Sequence, residues 1–279
     1  MSARFQNKVV VITGASSGIG RETALAFAQA GARVVLAARH EPALRQVASE
    51  IIGKIGCSPV TASDCVLVVR TDVTRDEDVR QLTATVIERF GRVDILINNA
   101  GVGMRALVAD MPLNDVHYLM EVNFHGPLRC IQAVLPHMRK QRAGQIVNVG
   151  SVLSMIVAPC NGAYCASKFG LLALSDSLRF ELQGAGIDVI SVLPAYTDTP
   201  FFEHMFRYGS PTRISPFKGQ DPAEVAHAIV RACARRKRQV VLTFSAQLGI
   251  WLRRLAPGLL NFAVRLFYQR STKADSKTR

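Results

Sequence analysis

Tyr164 and Lys168 stand four residues apart in Ala163-Tyr164-Cys165-Ala166-Ser167-Lys168, and Ser151 lies thirteen residues before the tyrosine. Four residues is about one helical turn, so phenol and ammonium would project from one helix face, close enough for the cation to favour phenolate. A free phenol titrates near pH ~10, and lowering that by ~3 units requires roughly 4 kcal/mol of differential stabilisation. A lysine alone falls short of this. A second cation, such as an oxidised nicotinamide ring, could supply the remainder, and its site would have to lie elsewhere in the chain. On its own, Tyr-x-x-x-Lys equally fits an ordinary surface helix.

A candidate for that site is near the N-terminus. Lys8-Val9-Val10-Val11-Ile12 has the β-branched content of a buried strand, Thr13-Gly14-Ala15-Ser16-Ser17-Gly18-Ile19-Gly20 follows, and Arg21 to Ala30 reads as a helix. Glycines at 14, 18 and 20 would let backbone approach a pyrophosphate. The helix behind them would offer its unpaired N–H groups and positive dipole end.

Further segments follow in order. Asp72-Val73 comes after a third strand, and Asn98-Asn99-Ala100-Gly101 after the strand Val93 to Ile97. Asn123 lies in a helix with an apolar stripe through Leu119, Val122 and Leu128, and Ser151 closes Ile146-Val147-Asn148-Val149-Gly150. Together these motifs resemble the short-chain dehydrogenase/reductase family over roughly residues 5 to 245, and several ordered motifs are far more specific than one. The resemblance implies an α/β fold, a single doubly wound Rossmann-like domain. Strand-like runs at 8–12, 33–38, 66–70, 93–97, 145–149, 187–193 and 239–243 alternate with helical stretches, as a mostly parallel seven-stranded sheet requires. A domain over 1–245, an amphipathic extension over 246–269 and a disordered basic tail over 270–279 are expected.

The resemblance also implies roles. Tyr164 would be proton donor for ketone reduction or base for alcohol oxidation. Lys168 would hold the nicotinamide ribose, Ser151 would hydrogen-bond the substrate oxygen, and Asn123 would support a proton relay through water. Cofactor contacts would come from Gly14, Ser16, Ser17, Gly18, Ile19, Gly20, Asp72, Val73, Asn99, Ala100, Gly101, Tyr164, Lys168, Pro194, Thr197 and Thr199. Asp72, just before Thr74, equally suits a turn or cap. Val34 to Ala38 ends on alanine where a carboxylate would grip the ribose of NAD, and Arg39 follows, able to pair with a 2′-phosphate, so NADP is the expected cofactor.

Three positions depart from the family pattern. Ala195 replaces a glycine with access to positive φ, and Thr197 replaces an aliphatic residue, which makes the contacts around Pro194 to Thr199 less secure. Gly150 replaces a serine common before the catalytic serine. Phe201, Phe202, Met205, Phe206 and Tyr208 fall where the family places its substrate-covering segment, suiting a lipophilic ketone or alcohol, or else packing a helix on the core.

The net charge of +13 is uneven, since Arg231 to Arg279 hold twelve Lys or Arg against Asp275 alone. The tail interleaves arginine with Leu248, Trp251, Leu255, Leu259, Phe262 and Phe267, divided by Pro257-Gly258 into two expected helices. Such pieces suit an anionic membrane surface. Docking on a partner subunit competes with that reading, and nucleic-acid binding is not expected because no stacking module appears. The resemblance implies a homo-oligomer. No metal-ligand spacing appears among the cysteines at 57, 65, 130, 160, 165 and 233, and no disulfide framework is expected. No secretory pattern precedes Val9, and the uncharged run from Gln239 to Leu252 is short of the roughly 20 residues that cross a bilayer. A cytoplasmic protein with peripheral membrane contact is the resulting expectation. A cofactor-binding sensor with little turnover, or a nucleic-acid-binding protein using the basic tail, is the alternative function.

Overall fold

The computed structural model describes residues 4–56, 62–209 and 219–275. β1 (Val9–Thr13) turns through the glycines into α1 (Gly18–Gln29), followed by β2 (Arg33–Ala38) and α2 (Glu41–Ile55). One-turn α3 (Ala62–Cys65) precedes β3 (Val66–Arg70), α4 (Asp76–Phe90), β4 (Ile95–Asn98) and the short β5 (Met104–Ala106). Then come α5 (Leu113–Met120), a π-helical turn over Glu121–His125, α6 (Gly126–Gln141), β6 (Gly144–Val149), α7 (Gly162–Glu181) and β7 (Ile187–Leu193). The chain ends with β8 (Phe206–Tyr208), α8 (Pro222–Arg235), β9 (Gln239–Val241), α9 (Phe244–Leu255) and α10 (Pro257–Asp275).

Seven strands form one sheet in the order β3-β2-β1-β4-β6-β7-β9, and every pairing in it is parallel. The order follows from the residues. Alternate positions of each strand feed opposite layers, so Val10, Ile12, Val34 and Leu36 join one apolar core while Val9, Val11, Val35 and Ala37 join the other. With both faces apolar, both must be covered by helices. The chain leaves β1 for β2 on one side and returns to β4 on the other, which opens a crevice beyond the strand ends between β1 and β4.

Three features differ from the sequence expectations. A second, two-stranded sheet joins β5 to β8 in parallel, with Met104 opposite Phe206 and Ala106 opposite Tyr208. α10 runs to Asp275, so residues 270–275, expected to be disordered, continue a helix, while 276–279 lie outside the described residues. Cys65 is disulfide-bonded, whereas Cys130, Cys160, Cys165 and Cys233 are free thiols; Cys57 lies outside the described residues.

A buried polar chain holds α7 to the sheet. Asn98 at the end of β4 donates to Asn148 Oδ1 at 2.8 Å, Asn148 donates to Ser175 Oγ at 2.8 Å, and Ser175 donates to the Leu171 carbonyl at 2.6 Å. All three side chains are 2% exposed or less. Removing the middle member strands two buried partners, each costing about 1–3 kcal/mol. Asn148→Ala is therefore expected to lower unfolding free energy by at least about 2 kcal/mol, checked by urea unfolding, whereas a loss within experimental error would mean that water replaces the amide.

Candidate active site

The crevice contains a cavity of about 780 Å³. At one end is a backbone cradle. Gly14 has φ +65°, and a Cβ there would lie 2.9 Å from Ala100 Cα; a Cβ on Gly20 would lie 2.2 Å from the Gly14 carbonyl oxygen. Thr13 and Asn99 fasten the two strand ends. The Asn99 and Ala100 amides both donate to Thr13 Oγ1 at 3.1 Å, and Asn99 Nδ2 donates to the carbonyls of Thr13 at 3.0 Å and Gly14 at 3.2 Å. The N-terminus of α1 opens into this cradle, and Thr199 leans on it, with its Cγ2 3.1 Å from where a Gly18 Cβ would be.

At the other end Ser151, Tyr164 and Lys168 come together. Ser151 caps the 3₁₀ turn Val152–Ser154: its Oγ accepts from the Leu153 amide at 3.1 Å, and its own amide donates to Ser154 Oγ at 3.1 Å. That fixes the hydroxyl oxygen beside Tyr164. α7 presents Tyr164 and Lys168 on one face, with Lys168 Nζ 5.8 Å from the phenol ring centre and donating to the Val149 carbonyl at 3.2 Å. Burial pushes the Tyr164 phenol well above its ordinary value, and the Ser151 hydroxyl only partly opposes it. Burial lowers Lys168 to about 8. The expectation that the lysine draws the tyrosine toward phenolate is thus not met by the chain's own groups, because desolvation of the charged forms outweighs the cation at this distance.

Asn123 is fully buried in the π-helical turn. Its Oδ1 accepts from the Val102 amide at 2.9 Å, and its Nδ2 donates to the Val102 carbonyl at 2.9 Å and to Ser167 Oγ at 3.1 Å. Its side chain is therefore spent on holding the strand that follows Gly101, and it does not line the cavity. Gly20 also stands behind the wall, packed on Gly14 and Asn99. The other expected residues all line the cavity: Gly14, Ser16, Ser17, Gly18, Ile19, Arg39, Asp72, Val73, Asn99, Ala100, Gly101, Ser151, Tyr164, Lys168, Pro194, Thr197 and Thr199. Asp72 does form the turn that Thr74 suggested, its Oδ1 accepting from the Thr74 amide at 3.0 Å and hydroxyl at 2.8 Å.

Comparison with known proteins agrees with this geometry. A family profile described as short chain dehydrogenase matches residues 8–207. The chain belongs to the short-chain dehydrogenase family. A mouse protein named dehydrogenase/reductase SDR family member 7B is 35% identical over 263 residues, spanning 92% of this chain and 80% of its own. The Xenopus tropicalis protein of the same name is 37% identical over 262 residues, covering 91% and 84%. Among solved structures, an alcohol dehydrogenase from Thermococcus sibiricus complexed with 5-hydroxy-NADP superposes with TM-score 0.73 at 28% identity, covering 85% of this chain and 96% of its own. A short-chain dehydrogenase/reductase from Burkholderia phymatum in complex with NAD gives 0.79 at 28%, covering 91% and 95%.

The departures of this short-chain dehydrogenase from its family's pattern have local explanations. Ala195 is not among the residues with positive φ, so glycine's freedom is not needed, and its amide donates to Gln220 Oε1 at 3.1 Å. Gly150 stands where a side chain is crowded, since a Cβ there would meet Leu193 Cδ2 at 2.8 Å and Ser154 Oγ at 3.0 Å. The covering segment divides. Phe201, Phe202 and Met205 line the cavity, the Phe201 ring 6.0 Å from Tyr164, whereas Phe206 and Tyr208 pack with Met104, Ala106 and Leu119. Sequence reasoning missed Tyr118, the buried Arg105 and the start of α9, whose Thr243, Ser245 and Ala246 also line the cavity. Only the long-range β5–β8 pairing and the packing of α9 bring these into the site.

Of the two buried titrating groups, Lys168 costs stability at neutral pH. A lysine whose pKa falls from 10.5 to about 8 on folding loses protons between those values, so wild-type stability rises with pH across that window. Tyr164, shifted upward, has the opposite effect only above its unfolded value. Lys168→Met is expected to raise Tm at about pH 7, with the gain shrinking as pH approaches about 10. Thermal scans across pH check this; a lower Tm at neutral pH would show that the bond to Val149 outweighs desolvation.

Proposed function

We propose that this short-chain dehydrogenase interconverts a lipophilic ketone and a secondary alcohol with NADP(H). The observation that carries the reading is the convergence of Ser151, Tyr164 and Lys168 on the wall of the cavity that the glycine cradle closes at its far end. The cradle fits a dinucleotide because Gly14 and Gly18 bring backbone to the crevice wall at the start of α1, with the short Ser16 and Ser17 beside it. When bound, the cofactor supplies the hydride chemistry.

The protein's groups manage the proton and the developing charge. Burial keeps Tyr164 a neutral phenol, ready to donate to a carbonyl oxygen during reduction. Ser151, immobilised as a cap, offers its hydroxyl proton to the same oxygen, where stabilisation of growing negative charge lowers the barrier. Lys168 supports the ribose end beside Tyr164, and Asn123 acts as a positioning residue by fixing Val102 and Ser167. Phe201, Phe202 and Met205 supply an apolar wall that excludes water and accepts a lipophilic body.

The NADP preference rests on Arg39. It is exposed at the cavity edge and donates to the Tyr118 hydroxyl, which steadies it, and the nearest acid in sequence, Glu41, is engaged by Arg45. A 2′-phosphate there would meet a cation with no competing carboxylate.

Tyr164→Phe is expected to abolish turnover of a test ketone, by about a hundredfold or more, while NADPH binding by fluorescence titration stays near wild type; most of the wild-type rate surviving would remove Tyr164 from the mechanism. Arg39→Asp is expected to shift the NADPH-to-NADH preference in kcat/KM by roughly tenfold to a hundredfold toward NADH, the size of one charge-assisted contact. An unchanged ratio would place phosphate recognition on another residue.

A further inference from the structure

The C-terminal helices are part of the catalytic body and also carry its largest apolar exposure. α9 is capped by Thr243 Oγ1, which accepts from the Ala246 amide at 3.2 Å, and Ala246 and Ile250 are buried. Arg253 donates to the Met155 carbonyl at 2.6 Å and covers the Phe169 ring at 5.0 Å, so α9 braces both the turn after Ser151 and the helix carrying Tyr164. Tyr268 of α10 reaches the Cys160 thiol, between the cavity-lining Ala158 and Asn161. The hairpin therefore spans the substrate end of the cavity.

Its opposite face is bare. Phe244, Leu248, Trp251 and Leu255 fall within roughly 60° of arc on α9, about half a turn from Ala246 and Ile250, and they are 80%, 49%, 62% and 75% exposed. On α10, Leu259 and Phe262 are likewise 64% and 61% exposed. Exposed Arg254 and Arg265 border it, and the only acid in either helix is Asp275. Arg235 to Arg238, by contrast, precede β9 at the far end of the sheet and belong to another surface.

We propose that this face of the α9–α10 hairpin docks on an anionic lipid bilayer and sets the mouth of the substrate cavity against it. An apolar stripe flanked by arginines complements an anionic interface, into which such helices sink without crossing. Among the described residues no helix is long and apolar enough to span a membrane. A second copy of this chain fits worse, because two-fold pairing of the face opposes arginine to arginine with one acid per copy to relieve it. The consequence for substrate entry rests on the oxidoreductase reading above; docking itself does not.

Trp251 is the only tryptophan in the chain, so its emission reports the face directly in the unaltered protein. Mixed phosphatidylcholine–phosphatidylserine vesicles should shift that emission to shorter wavelength and cosediment the protein. Phosphatidylcholine alone should do neither, and high salt should weaken both effects. A Trp251→Glu, Phe262→Glu double variant, with NADPH binding as the folding control, should lose vesicle binding by about tenfold or more. It should also reduce a long-chain ketone carried in those vesicles more slowly, while a short water-soluble ketone is reduced at the wild-type rate. No emission shift with the wild-type protein overturns the proposal, as does equal vesicle binding by a folded double variant. A wild-type dimer that the variant converts to monomer, with no vesicle binding, assigns the face to a second copy, and preferential binding of an oligonucleotide assigns it to nucleic acid; either result overturns the proposal. Vesicle binding without turnover of either ketone would leave docking standing and remove the oxidoreductase reading.

Discussion

Much of the site depends on how the ends of β1 and β4 are tied together. In a parallel sheet the two strands run side by side, but nothing in strand pairing itself fixes the loops beyond their carboxyl ends. Here Thr13 and Asn99 do it. One hydroxyl accepts from two successive amides, and one side-chain amide bridges two successive carbonyls, so four hydrogen bonds lock the glycine turn against the Asn98 to Gly101 segment. The contact is so close that side chains at Gly14 and Gly20 would strike backbone or the asparagine. The cradle is therefore held from the same segment that leads on to Val102, where Asn123 takes over, and Asn123 in turn grips Ser167 one residue before Lys168. The glycine cradle and the Ser167–Lys168 part of α7 share one continuous polar framework.

That framework stabilises the fold while the groups it positions oppose it. Lys168 and Tyr164 are each driven toward their neutral forms by burial, the lysine downward and the tyrosine upward. A buried ammonium with one carbonyl partner is poorly compensated, and the stability it costs is held by packing elsewhere, chiefly the two apolar layers that cover the sheet. Neutral phenol is the form that can donate a proton, so the same desolvation that acts on the site also keeps Tyr164 in its proton-donating state.

What was legible in the sequence was what depends on short spacing. β-branched runs mark strands because a strand buried on both faces has no polar side, and all seven expected strands form. The glycine turn, the Asn-Asn-Ala-Gly segment and the Ser/Tyr/Lys set are read from fixed offsets within single segments, and nearly all of their residues reach one cavity. What stayed hidden depends on contacts between distant segments. Three residues of β8 pair with three of β5, too few to carry a periodic signal, yet that pairing decides that Phe206 and Tyr208 pack inward while Phe201 and Met205 face the cavity. The structural duty of Asn123 could not be read either, since an amide in a helix looks the same whether it meets solvent or a backbone 21 residues away.

The C-terminal extension shows the same limit from the other side. Its composition marked it as amphipathic, and a boundary at residue 245 treated it as an appendage, but that boundary falls inside α9. A helix with one apolar stripe is normally satisfied once that stripe is buried. α9 has two, at Ala246 and Ile250 and at Phe244, Leu248, Trp251 and Leu255, and periodicity alone cannot say which one the body covers. The body takes the stripe of smaller residues and leaves the larger one outward. If burial alone governed, the opposite choice would remove more apolar area from water. The bulky stripe nonetheless remains outside, on the helix whose first turn lines the cavity, so burial of apolar area by this chain alone does not account for its residues.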